Sequence, residues 1–199
     1  MRKIKYTVLL TLSLALLSAC GTTNSYQNFL NGDLSQVDEA SVESFFLKEM
    51  TSDDTRSEYE YLLMDLDGDG NQELLIQYVD DPGSFNAVFH YENNKIVCWC
   101  SDSMEMICYS YPLKNGMMVE EYEYDGSISY NLYRYLPSGE TEQIGSFFIR
   151  EEPSSLEESL AAPIYKIDNK DVSKEEFEKE LKEQVLDEMV SRNDWTKMK

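Results

Sequence analysis

Four carboxylates crowd the stretch MDLDGDGNQELLI, Met64 to Ile76: Asp65, Asp67, Asp69 and Glu73, between two apolar runs. Like charges this close repel one another, and a bound cation relieves that repulsion. Numbered from Asp65, the carboxylates fall at positions 1, 3, 5 and 9, with Gly70 at 6 and Asn71 at 7. Alternate side chains of a tight loop can converge on one centre, and position 7 can add its backbone carbonyl. Calcium takes six to eight oxygens at about 2.3–2.6 Å, and a glycine at position 6 permits the sharp turn. An all-oxygen set suits hard cations, and magnesium prefers to keep several waters. The expectation is a structural calcium ion in a loop over 65–73. With no ion, the same residues would form an acidic turn between strands.

An EF-hand would need a bidentate Glu at position 12, where Ile76 stands. It would also need flanking helices, whereas Tyr61–Leu66 and Leu74–Val79 read as strands. The pattern instead resembles the FG-GAP or VCBS-type calcium loop, DxDxDGxxE/D set between strands. That resemblance, over about a dozen residues, implies Asp65, Asp67, Asp69, Glu73 and the carbonyl of Asn71 as ligands. Those families repeat the loop in every blade of a β-propeller. Here it occurs once, so a full propeller is not expected. More widely, the FLNG opening, the single loop and the VSKEEFEK segment are similar to small lipoproteins of Gram-positive bacteria, a likeness that transfers no activity.

Other chemistry is sparse. There is no Gly-x-Ser-x-Gly, His-Glu-x-x-His, P-loop or Gly-x-Gly-x-x-Gly pattern. The single histidine, His90, ends the run FNAVFHY and reads as a packing or surface residue. The expectation is a non-catalytic protein. A hydrolase or glycan-active enzyme built on a carboxylate pair stays open, because separation in space is unreadable from sequence. Among fourteen tyrosines, Tyr122, Tyr124, Tyr133 and Tyr135 are candidates to face a glycan or protein ligand, since tyrosine offers rigid amphipathic contact area. They would equally suit a half-buried sheet. Cys98 and Cys100 lie two apart and would share a face of a strand. A disulfide between Cys100 and Cys108 is permitted across a tight turn. Small apolar side chains in a sheet are the other reading.

The elements that must hold these residues are mostly strands. From Glu58 to Arg150, runs rich in Tyr, Ile, Val and Phe alternate with turn signals such as Asn93-Asn94, Asn115-Gly116 and Asp125-Gly126. This predicts eight strands: 59–66, 73–79, 85–91, 95–101, 105–112, 117–124, 127–136 and 142–150. No gap is long enough for a helical crossover, so pairing is antiparallel. For the Asp125-Gly126 hairpin, burial favours the register that pairs Tyr122 with Tyr130 and Tyr124 with Ile128. That register places Tyr133 and Tyr135 on the other face. Helices are expected at 26–31, at 37–50 behind a Ser35-x-x-Asp38 cap, and at 174–191 behind the capping box Ser173-x-x-Glu176. The stretch 151–163 reads as an acidic linker. The fold expected is α+β, an antiparallel meander sheet of about eight strands with N- and C-terminal helices packed on it.

The N-terminus carries Arg2, Lys3 and Lys5 before the apolar run YTVLLTLSLALLSA. This is the layout of a signal peptide, short of the roughly 20 apolar residues of a permanent span. LSAC followed by Gly21 looks like a bacterial lipoprotein signal. That resemblance implies removal of residues 1–19 and lipidation of Cys20, with a membrane anchor on the extracellular face. Residues 20–25 would be a tether and 26–199 a single domain. Loss of the three basic residues, with no acidic one, takes the net charge from −21 to −24. Such a chain repels nucleic acid and an anionic membrane surface. The function expected is a calcium-stabilised binding module at the cell surface. An accessory or inhibitory subunit of an envelope assembly is a further alternative.

Overall fold

In the computed structural model, residues 24–42, 45–103, 107–150 and 163–199 are described. Cys20, the signal segment, the start of the tether and the acidic linker lie outside them. The helix α1 already covers 24–30, so the tether is shorter than expected, and Ser25 is a buried helical residue. Gly32 ends α1 with a φ of +89°, a left-handed conformation that glycine adopts without steric cost. The amides of Gly32 and Asp33 close back on the carbonyls of Phe29 and Asn28. Two short helices follow, α2 (Glu39–Val42) and α3 (Phe45–Thr51). Asp38, rather than Ser35, caps α2 by accepting from the Ala40 amide at 3.0 Å.

All eight expected strands form: β1 (Tyr59–Met64), β2 (Glu73–Tyr78), β3 (Phe85–Glu92), β4 (Lys95–Ser103), β5 (Cys108–Pro112), β6 (Met118–Tyr124), β7 (Ser127–Tyr135) and β8 (Thr141–Arg150). They do not form one meander. The chain breaks between β4 and β5 into two antiparallel sheets, ordered β11-β1-β2-β3-β4 and β10-β9-β8-β7-β6-β5. Three short strands complete them: β9 (Ile164–Ile167), β10 (Lys170–Asp171) and β11 (Thr196–Lys197).

Burial explains the split. The first five residues of β2 and the first six of β3 are all buried, so both faces of the first sheet are covered. One face, through Leu74, Ile76, Phe85 and Phe89, packs on Tyr26, Phe29, Leu47 and Met50 from α1 and α3. The other face, through Leu75 and Val88, meets Met118 and Tyr135 of the second sheet. The far face of the second sheet buries Val119, Leu132 and Phe147 against Phe177 and Leu181 of α4 (Lys174–Leu181). A single wide sheet with helices on one side would leave Leu75 and Val88 in water. Stacking the halves buries them.

The Asp125-Gly126 hairpin takes the two-residue turn, pairing Tyr122 with Ser129 and Tyr124 with Ser127. Both turn residues have positive φ, 52° and 71°, the type I′ geometry that matches strand twist. This overturns the expected register. Tyr122 and Tyr124 share a face with Tyr133 and Tyr135, while Tyr130, Leu132 and Val119 face α4. The observed register leaves Tyr124 61% exposed, so turn geometry rather than burial of the tyrosines decides.

Ser173 caps α4, its Oγ accepting from the Glu176 amide at 3.2 Å. The helix is shorter than the expected 174–191: it widens into a π turn over Lys182–Leu186, and Met189 then bridges to Leu113. Among the described residues no helix is long and apolar enough to cross a membrane.

Candidate functional site

The acidic loop joins β1 to β2 at the edge of the seam between the sheets. Its carboxylates first organise their own backbone. Asp65 accepts from the amides of Gly68 (2.7 Å) and Gly70 (3.0 Å), Asp67 Oδ1 from Asp69 (3.0 Å), and Asp69 from Asn71 through both backbone and side chain (2.6 and 2.9 Å). Gly68 and Gly70 sit at φ +79° and +89°, conformations a side chain would strain. The β5–β6 turn abuts the loop: a Cβ on Gly116 would stand 2.7 Å from the Asp65 carbonyl oxygen.

One oxygen in the loop is left over. Asp67 Oδ2 is buried and has no hydrogen-bond partner among the described residues. Asp67 belongs to two overlapping groups whose ligand atoms lie within 4.8 Å of one another, Asp65–Asp67–Asp69 and Asp67–Glu73–His90. Burial, with the neighbouring charges of Asp69 and Asp65, pushes the Asp67 carboxyl above its ordinary value. A buried carboxylate oxygen without a protein donor is met by a proton, a water or a cation. The oxygen set of Asp65, Asp67 and Asp69 fits a hard cation.

Glu73, expected beside the other ligands, is fully buried and already engaged. Its Oε2 accepts from the Leu66 amide at 2.7 Å, and its Oε1 lies 2.9 Å from His90 Nδ1. It ties the exit of β1 to β3. The Glu73 carboxylate holds the His90 imidazole above its ordinary value, while burial pushes the Glu73 carboxyl up. From sequence His90 reads as a packing or surface residue. Its partner follows from register, since Leu74 opposite Phe89 brings Glu73 and His90 to the end of the same inner row.

A β-bulge lies next to this pair. Val88 pairs with Cys100 and Phe89 with Cys98, so Trp99 is the extra residue of β4. The bulge turns Cys98 to the helix-packed face and Cys100 to the seam, against the expectation that they share a face. It also lays the Trp99 indole flat on His90, with ring centroids 4.4 Å apart and planes 9° apart. Cys100 and Cys108, the pair for which a disulfide is permitted, lie on β4 of one sheet and β5 of the other.

Beyond Trp99 a cleft of about 800 Å³ opens where β4 faces β6, β7 and the β7–β8 turn. Trp99, Tyr133 and Tyr135 line it together with Glu120 and Glu140. Of the four candidate tyrosines, Tyr133 and Tyr135 therefore reach one cleft. Tyr122 and Tyr124 stack on each other farther along the sheet, outside it. The bulge brings Trp99 to the cleft, and no feature of the local sequence marks it. No family model, curated protein or solved structure matches the chain.

Proposed function

We propose that this chain is a lipoprotein anchored through Cys20 on the outer face of the cell membrane, in which a calcium-clamped β domain presents a non-catalytic binding surface. The observation that carries the cation reading is Asp67 Oδ2, buried and without a donor among neighbouring carboxylates. Asp65, Asp67 and Asp69 would hold the ion, with the Asn71 carbonyl completing the set. Glu73 would ligate with whatever capacity its bonds to Leu66 and His90 leave. A filled loop would join β1 to β2 and brace the β5–β6 turn, linking ion binding to folding. Extracellular modules often bind calcium at about 10⁻⁴–10⁻³ M. Calorimetric titration of the mature chain, with thermal melts in calcium and in chelator, tests it. One saturable site with a raised Tm is expected. No binding up to about 10 mM, beyond that weak extracellular range, would reduce the loop to an acidic turn.

A second reading, a glycan-active hydrolase, has one observation in its favour: two carboxylates, Glu120 and Glu140, line one cleft. Release of reducing ends from cell-wall polysaccharide, abolished by Glu120→Gln, would establish it. The accessory-subunit reading draws less support. The exposed large apolar side chains among the described residues, Tyr124, Ile144 and Leu186, sit on three separate elements.

A further inference from the structure

We propose that the cleft between the Trp99 bulge and the β7–β8 turn binds a small organic cation, an amine or quaternary ammonium group carried on a compact body. This deepens the reading of the chain as a binding module but does not depend on the ion in the acidic loop.

Size and position come first. At about 800 Å³ the cleft falls within the roughly 300–1,000 Å³ of small-molecule sites. It lies on the seam of two sheets, so residues far apart in sequence converge there. Trp99 comes from β4, Glu120 from β6, Tyr133 and Tyr135 from β7, and Glu140 from the turn.

The chemistry of the lining selects the ligand. Trp99 and Tyr135 lie nearly parallel, with centroids 5.5 Å apart and planes 20° apart. Tyr133 stands across Tyr135, 6.1 Å away at 67°. Tyr135 is itself 5% exposed, so the half-buried Trp99 and Tyr133 are the rings that reach the cleft, and aromatic π density attracts cations, quaternary ammonium groups above all. Among the described residues lining the cleft, the formal charges are Glu120 and Glu140. No lysine or arginine is among the described residues lining it. The whole chain adds a net −21. An anion is repelled from such a cleft. A neutral ligand would strip water from the carboxylates without compensating their charge. A cation meets both the rings and the carboxylates.

The lining is also held in place before any ligand arrives. His90 backs the Trp99 ring, and the backbone at Gly139 closes on its edge, where a Cβ would come within 2.5 Å of Cδ1. The Tyr133 hydroxyl is 2.9 Å from Ser110 Oγ. Gln143 Nε2 donates to Asn131 Oδ1 at 3.3 Å, which links β8 to β7 at the cleft wall. Rings already ordered lose little entropy on binding.

The test uses full-length protein in neutral detergent at one fixed calcium concentration, so that the loop stays in the same state in every titration. Choline, glucosamine and N-acetylglucosamine are titrated at matched ionic strength, followed by calorimetry and tryptophan emission. Saturable binding of choline or glucosamine is expected, with N-acetylglucosamine at least tenfold weaker. Choline alone would assign a quaternary ammonium ligand, and glucosamine alone a primary amine. The Glu120→Gln/Glu140→Gln variant, whose changes leave the core untouched, should weaken cation binding about tenfold or more while its calcium titration stays as in the parent. Equal binding of N-acetylglucosamine would overturn the proposal in favour of a neutral saccharide. No saturable binding of either cation, in protein whose calcium titration is intact, would overturn it and leave the cation-loop reading standing.

Discussion

The imidazole of His90 lies flat on the indole of Trp99, 4.4 Å between centroids and 9° between planes. Glu73 holds the other side of that imidazole at 2.9 Å. The acidic loop and the aromatic cleft are thus connected through three side chains in contact. A cation bound beside Asp67 and Glu73 changes the field at His90 and hence around Trp99. Trp195, the other tryptophan, is replaced by Phe so that emission reports Trp99 alone. Calcium is then expected to shift the emission saturably, and His90→Phe to suppress the shift when the two proteins are compared at saturating calcium. A shift that persists in His90→Phe would break this connection.

Asp67 is where the cation reading is most exposed. Asp67→Asn removes a charge from the cluster of carboxylates and a buried oxygen that lacks a donor. Calcium affinity should fall at least tenfold, about 1.4 kcal/mol. In chelator the variant should be as stable as the parent or up to about 1–3 kcal/mol more stable, since an unsatisfied buried acceptor carries a cost of that order. A variant destabilised in chelator, with calcium affinity unchanged, would make Asp67 a structural turn residue only.

The Glu73–His90 pair is a buried strut between strands. Glu73→Ala strands the Leu66 amide and the imidazole together, and breaking a buried pair costs about 3–5 kcal/mol. Denaturant unfolding in chelator measures it, and a loss under about 1 kcal/mol would show the strut to be dispensable.

The same pair sets a pH dependence. Its sign follows from the raised imidazole, held up by the hydrogen bond and charge of Glu73. The stability it contributes is complete below the unfolded imidazole value of about 6.5 and is lost as pH rises through the higher folded value. Burial raises Glu73 as well, which acts in the same direction at lower pH, from about 4.3 upward. Thermal melts in chelator should show Tm falling across the imidazole interval in the parent, and a flatter profile in His90→Asn. A Tm that climbs with pH there would contradict the assignment.

Gly116 braces the loop from the second sheet. Its φ is +83°, and a Cβ would stand 2.7 Å from the Asp65 carbonyl. Gly116→Ala should cost about 1–3 kcal/mol through backbone strain and that contact, and should weaken calcium binding by displacing Asp65. Parent-like calcium affinity in a folded Gly116→Ala protein would show that the turn and the loop are independent.

Local information was legible where a short segment carries its own physics. The eight long strands, the turn at Asp125-Gly126, the glycine stop at Gly32 and the Ser173 cap each depend on a few adjacent residues. The acidic loop was legible for the same reason: its hydrogen bonds close within seven residues, from Asp65 to Asn71. The Asp125-Gly126 register differs from the expected one because the type I′ backbone, not burial of Tyr124, chooses the pairing. The helix after Ser173 was overextended because Val185 and Met189 keep helical spacing through a π turn.

The sequence by itself determined the local elements and the place of the acidic loop between β1 and β2, because strand alternation and turn residues act over a few residues. Only the tertiary structure decided the break between β4 and β5, the Trp99 bulge, the partnership of Glu73 with His90 and the meeting of Trp99 with Tyr133 and Tyr135. Each of these joins residues many positions apart. They are settled when two sheets, each with an apolar inner face, stack to remove those faces from water, and no short segment records which partner it will meet.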